Sequence, residues 1–167
     1  MKNLYFIGGT MGAGKTTTGQ ILKRLLPKSV FLDGDWCWDA DPFVVTDETK
    51  KMCLENIGFL LNNFIECSEY ENVIFAWVMN SDSIIESVTS RLMMEKVNFI
   101  NVSLVLSEEA LVKRLKGDVD KGIRTIDVIK RSVDRLPSYR HVNARKLDVT
   151  DISATVAARR IMEGEFD

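Results

Sequence analysis

Gly9-Thr10-Met11-Gly12-Ala13-Gly14-Lys15-Thr16 has the spacing G-x-x-x-x-G-K-[ST] of a phosphate-binding loop, the Walker A pattern. Such a loop needs a buried strand running into it and a helix running out of it. Both are present. Asn3-Leu4-Tyr5-Phe6-Ile7 is a short apolar run ending in Gly8-Gly9, which predicts a buried strand. From Thr17 the chain carries Ile21, Leu22, Leu25 and Leu26 on one helical stripe, and Pro27 stops it. The glycines let the backbone approach phosphate closely, and their N–H groups become donors to phosphate oxygens. The helix N-terminus adds partial positive charge beneath them. Lys15 is placed for the β- and γ-phosphates and the Thr16 hydroxyl for a metal. The expected ligand is a nucleoside triphosphate with Mg²⁺. Gly9, Met11, Gly12, Ala13, Gly14, Lys15, Thr16 and Thr17 are the candidate nucleotide-binding residues. The competing interpretation is a Gly-rich turn with an incidental lysine.

The rest of the chain repeats the alternation of strand and helix. Ser29-Val30-Phe31-Leu32, residues 72–78, residues 99–106 and residues 145–149 are strand-like. The runs at 72–78 and 99–106 are apolar on both faces, which suits a parallel sheet covered by helices on each side. Helical stripes lie between them. Thr46 or Asp47 opens one, and Ser83 with Glu86 forms a capping box for the next. Ser107 opens a third, Thr125 or Asp127 a fourth and Asp151 the last. The expected fold is a three-layer α/β/α sandwich with its ligand at the carboxyl ends of the strands. At 167 residues and 46% apolar content, one domain spanning 1–167 is the default.

Composition excludes several classes. A net charge of −2 gives no global attraction to nucleic acid or to an anionic membrane surface. Cys37, Cys53 and Cys67 have no C-x-x-C spacing, and with the lone His141 they make no zinc site. Free thiols suit a reducing cytoplasm. No signal-peptide core and no apolar run near eighteen residues is present, so the expected location is the cytoplasm. A guanine-reading N-K-x-D segment is missing, which counts against a GTPase switch. The third strand ends Trp77-Val78-Met79-Asn80 without the acidic pair of a mechanical ATPase.

After the second strand come Asp33-Gly34-Asp35. If strand alternation persists, both carboxylates face the phosphate end. Asp33 would then help hold Mg²⁺, and Asp35 would accept a proton from a substrate hydroxyl. The alternative is a turn that only reverses the chain.

These residues resemble the small P-loop kinases, the group of shikimate, gluconate, adenylylsulfate and nucleotide kinases. The loop at 9–16 is similar to the G-x-M-G-A-G-K-[ST] of shikimate kinases, and Leu32-Asp33-Gly34-Asp35 to the L-D-G-D of gluconate and adenylylsulfate kinases. The resemblance implies a five-stranded parallel sheet of order 2-3-1-4-5, ATP as donor, Mg²⁺, and a lid over the phosphates. Leu111-Val112-Lys113-Arg114-Leu115 resembles the helix that starts such a lid. Asp127 with Arg135-Leu136 and Tyr139 resembles the D…R-L-x-x-Y run that closes it. By this resemblance the lid spans about residues 114–140, and Arg114, Arg124 and Arg135 are candidates for contacts to ATP or to the transferring phosphate. A solvated helix face is the other role open to lid cations. The Arg-x-x-x-x-x-Arg and G-G-R signatures of shikimate kinases are absent, so shikimate is not the expected acceptor.

The acceptor region should lie over about residues 35–66 and the end of the third strand. Between Trp36 and Glu95 the basic residues are Lys50, Lys51 and Arg91. Enzymes that bind a phosphate or carboxylate on the acceptor clamp it with arginine forks. The deficit predicts a small acceptor that is neutral or weakly charged. Trp36, Trp38, Phe43 and Trp77 lie near it and could stack on it; core packing is the favoured role for Trp77 and Phe43, and the alternative for residues 34–39 is a turn whose rings cover the sheet end. The leading expectation is an ATP- and Mg²⁺-dependent phosphotransferase, with Lys15, Asp35, Arg124 and Arg135 catalytic and Thr16 and Asp33 on the metal. A nucleoside or nucleotide kinase is the second reading, and a catalytically silent ATP-binding regulator the third. The partner expected is a small-molecule acceptor, on a monomer or homodimer.

Overall fold

The computed structural model of the protein describes residues 1–167. Five strands, β1 (Lys2–Gly8), β2 (Ser29–Asp33), β3 (Asn72–Trp77), β4 (Val97–Val105) and β5 (Arg145–Asp148), form one sheet in the order β2-β3-β1-β4-β5. Every pairing is parallel, as the runs apolar on both faces require. The order is the expected 2-3-1-4-5. The helices are α1 (Lys15–Leu25), α2 (Asp47–Glu66), α3 (Asp82–Thr89), α4 (Glu108–Asp120), α5 (Asp127–Arg135), α6 (Ser138–His141) and α7 (Ala154–Glu163).

Strand alternation divides the core into two layers. On β1, Tyr5 and Ile7 point into a cluster with Leu22 of α1, Leu111 and Leu115 of α4, and Ala157 and Ile161 of α7. Leu4 and Phe6 point the other way, against Ile57, Leu61 and Ile65 of α2 and Val88 of α3. Both strand faces are therefore sealed from water, and the chemistry is confined to the loops at the carboxyl edge.

The packing of α1 on β2 is close enough to be tested. A Cβ at Gly19 would meet Phe31 Cε2 at 2.3 Å. Gly19→Ala should therefore destabilise the protein by about 1 kcal/mol net. Overpacking costs roughly 1–3 kcal/mol and the better helix propensity of alanine returns about 1 kcal/mol. A lower urea midpoint with an unchanged m-value is the expected reading.

Three helix starts differ from the sequence expectation: α5 begins at Asp127 after Ile126, with no side chain capping it, and α3 and α7 are capped by serines other than the residues expected. Ser81, not Ser83, caps α3: its extended backbone (φ −151°, ψ 153°) aims the hydroxyl at the Ile84 amide, while Ser83 already lies on the helix. Leu92 lies beyond the end of α3. Likewise Ser153, not Asp151, caps α7 through the Val156 amide. Thr46 and Ser107 cap α2 and α4 as expected.

Candidate active site

The loop between β1 and α1 turns on glycines with left-handed backbone, Gly12 at φ 85° and Gly14 at φ 91°. Residues with a Cβ seldom adopt those angles. Helix α1 then begins at Lys15 with Gly14 as its N-cap, no side chain capping it and no acid in its first turn. Its opening N–H groups have no partner within the chain and carry the positive end of the helix dipole. That is the construction of an anion site. Thr10 of the same loop donates from Oγ1 to the Ser132 carbonyl of α5 at 3.0 Å, a buried bond fastening the loop to the neighbouring helix.

Lys15 is half-buried, and its Nζ donates to the Thr10 carbonyl at 3.0 Å. Burial lowers its pKa to about 8; the Asp35 and Asp33 carboxylates pull it back up, and the Arg124 charge pushes it down. One ammonium thus shares its surroundings with both acids and with an arginine of the α4–α5 segment.

Asp33 ends β2, is 7% exposed, and accepts the Thr16 hydroxyl at Oδ2 at 2.6 Å and the Asp35 amide at Oδ1 at 3.0 Å. Strand alternation does not continue past it. Residues Gly34–Cys37 wind into a 3₁₀ turn capped by Asp33 itself, and this turn, not a strand pleat, returns Asp35 toward Lys15. Burial raises the pKa of Asp35, as does the Asp33 charge, against the opposing influence of Lys15, the Trp77 indole and Arg124. Gly34 makes the turn possible, because a Cβ there would meet the Trp77 ring at 2.4 Å.

Thr16 and Asp33 supply two hard oxygen donors side by side, which fits Mg²⁺ and not a thiophilic ion. No group of three or more His, Cys, Asp or Glu side chains gathers anywhere in the structure. The chain alone would leave a metal mostly to water and phosphate oxygens, the arrangement Mg²⁺ favours in phosphate sites.

The three lid arginines occupy three different places. Arg114 is half-buried on α4 and donates to the carbonyls of Val149 and, from Nη1 at 3.4 Å, Ala13. It borders a cavity of about 210 Å³ with Gly14, Thr18, Ile152 and Ala157, behind the phosphate loop. Arg124 is half-buried, paired from Nε with Asp118 at 3.1 Å, and its charge acts on both Lys15 and Asp35. Arg135 is exposed and lines a larger cavity on the other side.

That larger cavity, about 750 Å³, begins at Gly34 and Asp35 and is walled by Trp38, Phe43, Val45, Lys50, Cys53, Leu54, Trp77, Asn80, Ile84 and Ser87, among others. Trp38 is among its walls, but Trp36 is not. The Trp36 ring packs edge-on against Phe31 at 5.5 Å and is otherwise 59% exposed. The 3₁₀ turn rotates these two tryptophans to different sides, a consequence that strand alternation would not have produced. Phe43 departs from the core role: it is 58% exposed and stacks on Trp38 at 4.4 Å. Trp77 packs against the core layer and also lines the cavity. Phe43 and Lys50 fall within the expected acceptor segment, whereas Ile84 and Ser87 on α3 lie outside it. Only the nearness of α3 to the end of β3 could have signalled the latter two.

The sequence from 6 to 133 matches the family model described as the AAA domain. No curated protein matches the chain. Among solved structures, the fold is similar to the tunicamycin resistance protein of Deinococcus radiodurans, at TM-score 0.73 and 19% identity over 98% of this chain and 95% of that one. A gluconokinase from Sinorhizobium meliloti aligns at 0.66 and 18% identity over 97% and 94%. The shikimate kinase of Acinetobacter baumannii, solved with shikimate, aligns at 0.63 and 22% identity over 98% and 92%. The architecture is that of the small P-loop kinases. No helix is long and apolar enough to cross a membrane.

Proposed function

We propose that this chain, which belongs to the AAA domain family, moves the γ-phosphoryl group of ATP to a hydroxyl of a small neutral or weakly charged molecule, with Mg²⁺ as cofactor. The observation that carries the proposal is the position of Asp35. It stands within the electrostatic reach of Lys15 and in the wall of the 750 Å³ cavity. A phosphate site and a separate acceptor-sized cavity therefore meet at one carboxylate.

On this reading the amides of residues 12–16 and the Lys15 ammonium bind the β- and γ-phosphates, and Arg114 flanks the nucleotide from behind the loop. Thr16 and Asp33 hold Mg²⁺, which when bound neutralises phosphate charge. Asp35 orients the acceptor hydroxyl and takes its proton; the hydroxyl oxygen bonds to the γ-phosphorus as the bond to the β-phosphate bridging oxygen breaks, and ADP leaves. Arg124, beside Lys15, stabilises charge on the phosphoryl group in flight. Arg135 acts from the acceptor side. The acceptor segment at about 35–66 and the lid at about 114–140 flank the phosphate loop within one unit spanning 1–167. An acid–base group of modest strength suffices, because positioning and charge dominate such transfers.

A coupled ADP-release assay across sugars, sugar acids, nucleosides, nucleoside monophosphates and hydroxylated antibiotics tests the proposal. Release should require both an acceptor and Mg²⁺, and Asp33→Asn should weaken the response to Mg²⁺ by about tenfold or more. Release no faster than hydrolysis for every acceptor would overturn it in favour of a nucleotide-binding regulator.

A further inference from the structure

The larger cavity has a chemical character that narrows the acceptor, given that the cavity is the acceptor site as proposed above. Asp35 lies in its wall, and Lys50, Asn80, Ser87 and Arg135 are further polar members. The larger part of the wall is apolar, and the protein does not itself cover several of those side chains. Phe43 and Val45 are 58% and 56% exposed, although both line the cavity. Phe43 lies on Trp38 with centroids 4.4 Å apart and a 36° tilt, a stacked pair whose outer ring face serves as an aromatic slab. Leu54 and Ile84 line the same space, and Trp77 is held beside Gly34.

Cations do not balance this surface. Lys50 and Arg135 are both exposed, and Arg91, just past the end of α3, is bonded to the Ser87 carbonyl and is not among the lining residues. A polyhydroxylated sugar acid would leave the slab in contact with water and its own carboxylate without a buried fork. A planar apolar group would remove that slab from water and gain for it. The volume of about 750 Å³ also lies in the range that encloses drug-sized ligands.

We infer that the acceptor is amphipathic: a hydroxyl-bearing head delivered to Asp35, joined to an aryl body that lies on the Trp38–Phe43 slab and is flanked by Val45, Leu54 and Ile84. The selectivity of the enzyme then comes from the apolar body and not from the polyol.

Matched pairs test this, each with the same hydroxyls and differing in one group: phenyl and methyl β-D-glucoside, phenyl and methyl β-D-riboside, and 3-phenylpropane-1,2-diol against propane-1,2-diol. Calorimetric binding to the full chain with ATP analogue and Mg²⁺ should favour the aryl member at least about tenfold, the ratio given by burying one ring face. The double variant Trp38→Ala/Phe43→Ala should bring that ratio to within about twofold while ATP affinity stays unchanged. Equal binding within pairs, no aryl binding at millimolar concentration, or a preference that survives the double variant would each overturn the inference. ADP release separates this outcome from the parent reading. Turnover with methyl members as efficient as with aryl ones sinks the amphipathic acceptor and leaves the kinase standing. Aryl-selective binding without turnover of any compound sinks the kinase and leaves an aryl-selective pocket.

Discussion

Lys15→Met should abolish acceptor-dependent ADP release, by roughly 10³-fold or more, and yet not lower the melting temperature of the ligand-free protein. Burial holds Lys15 at a pKa of about 8, so its charged form is disfavoured in the folded state relative to the unfolded chain. The sign follows from proton counting. Between pH 8 and the unfolded lysine value, the unfolded chain binds the extra proton, and stability of the wild type rises with pH through that window. Below pH 8 the full penalty is present. A half-exposed lysine is screened by water, so the gain from removing it is at most ~2 kcal/mol, and loss of the hydrogen bond to Thr10 offsets part of that. The expected result is a melting temperature unchanged or raised by a few degrees at pH 7, converging with the wild type toward pH 10. Differential scanning calorimetry at the two pH values measures it. A clear loss of stability at pH 7 would show that Lys15 is a structural group.

Asp35→Asn should lower turnover by about 10²–10⁴-fold, the usual worth of a positioned base, and change ATP affinity by about twofold at most, since the proposed function puts the nucleotide contacts on the loop and not on the turn. Burial and the Asp33 charge hold Asp35 above the ordinary carboxylate range. The base must be ionised to act, so activity falls as pH drops through that raised value. The acidic limb of kcat/KM should sit above the usual carboxylate range in the wild type and flatten in the variant. Equal losses in turnover and in ATP affinity would count against an acceptor-side role.

Much of this architecture can be read from residue order alone. A glycine loop demands a strand before it and a helix after it, and runs apolar on both faces admit few sheets other than a covered parallel one. The nucleotide side was legible for the same reason: Lys15 and Thr16 are fixed by their distance from Gly9 along a short, stiff loop. The acceptor side was not. Its geometry depends on a 3₁₀ turn at Gly34–Cys37, in which a one-residue step rotates a side chain by about a third of a turn where a strand would give half. That difference sends Trp36 to Phe31 and Trp38 to the cavity. Phe43 was assigned inward because it is large and apolar, a rule that holds on average and fails at binding surfaces. Caps showed the same limit. Ser81 and Ser83 offer the same hydroxyl, and only the extended backbone at Ser81 decides between them.

The first turn of α1 carries a further consequence. Helices α2, α3, α4 and α7 are each completed by a hydroxyl from their own chain, whereas α1, like α5 and α6, has none, and α1 alone of these three follows the glycine loop. On the proposed function, a nucleotide's terminal phosphates would complete this secondary-structure element as well as react. Protein and ligand share one folding equilibrium, shifted by RT ln(1 + [L]/Kd). Amide protons of residues 14–17 should exchange fastest in the empty protein and slow most on saturation, and any thermal midpoint acquires meaning only alongside the nucleotide concentration at which it was taken.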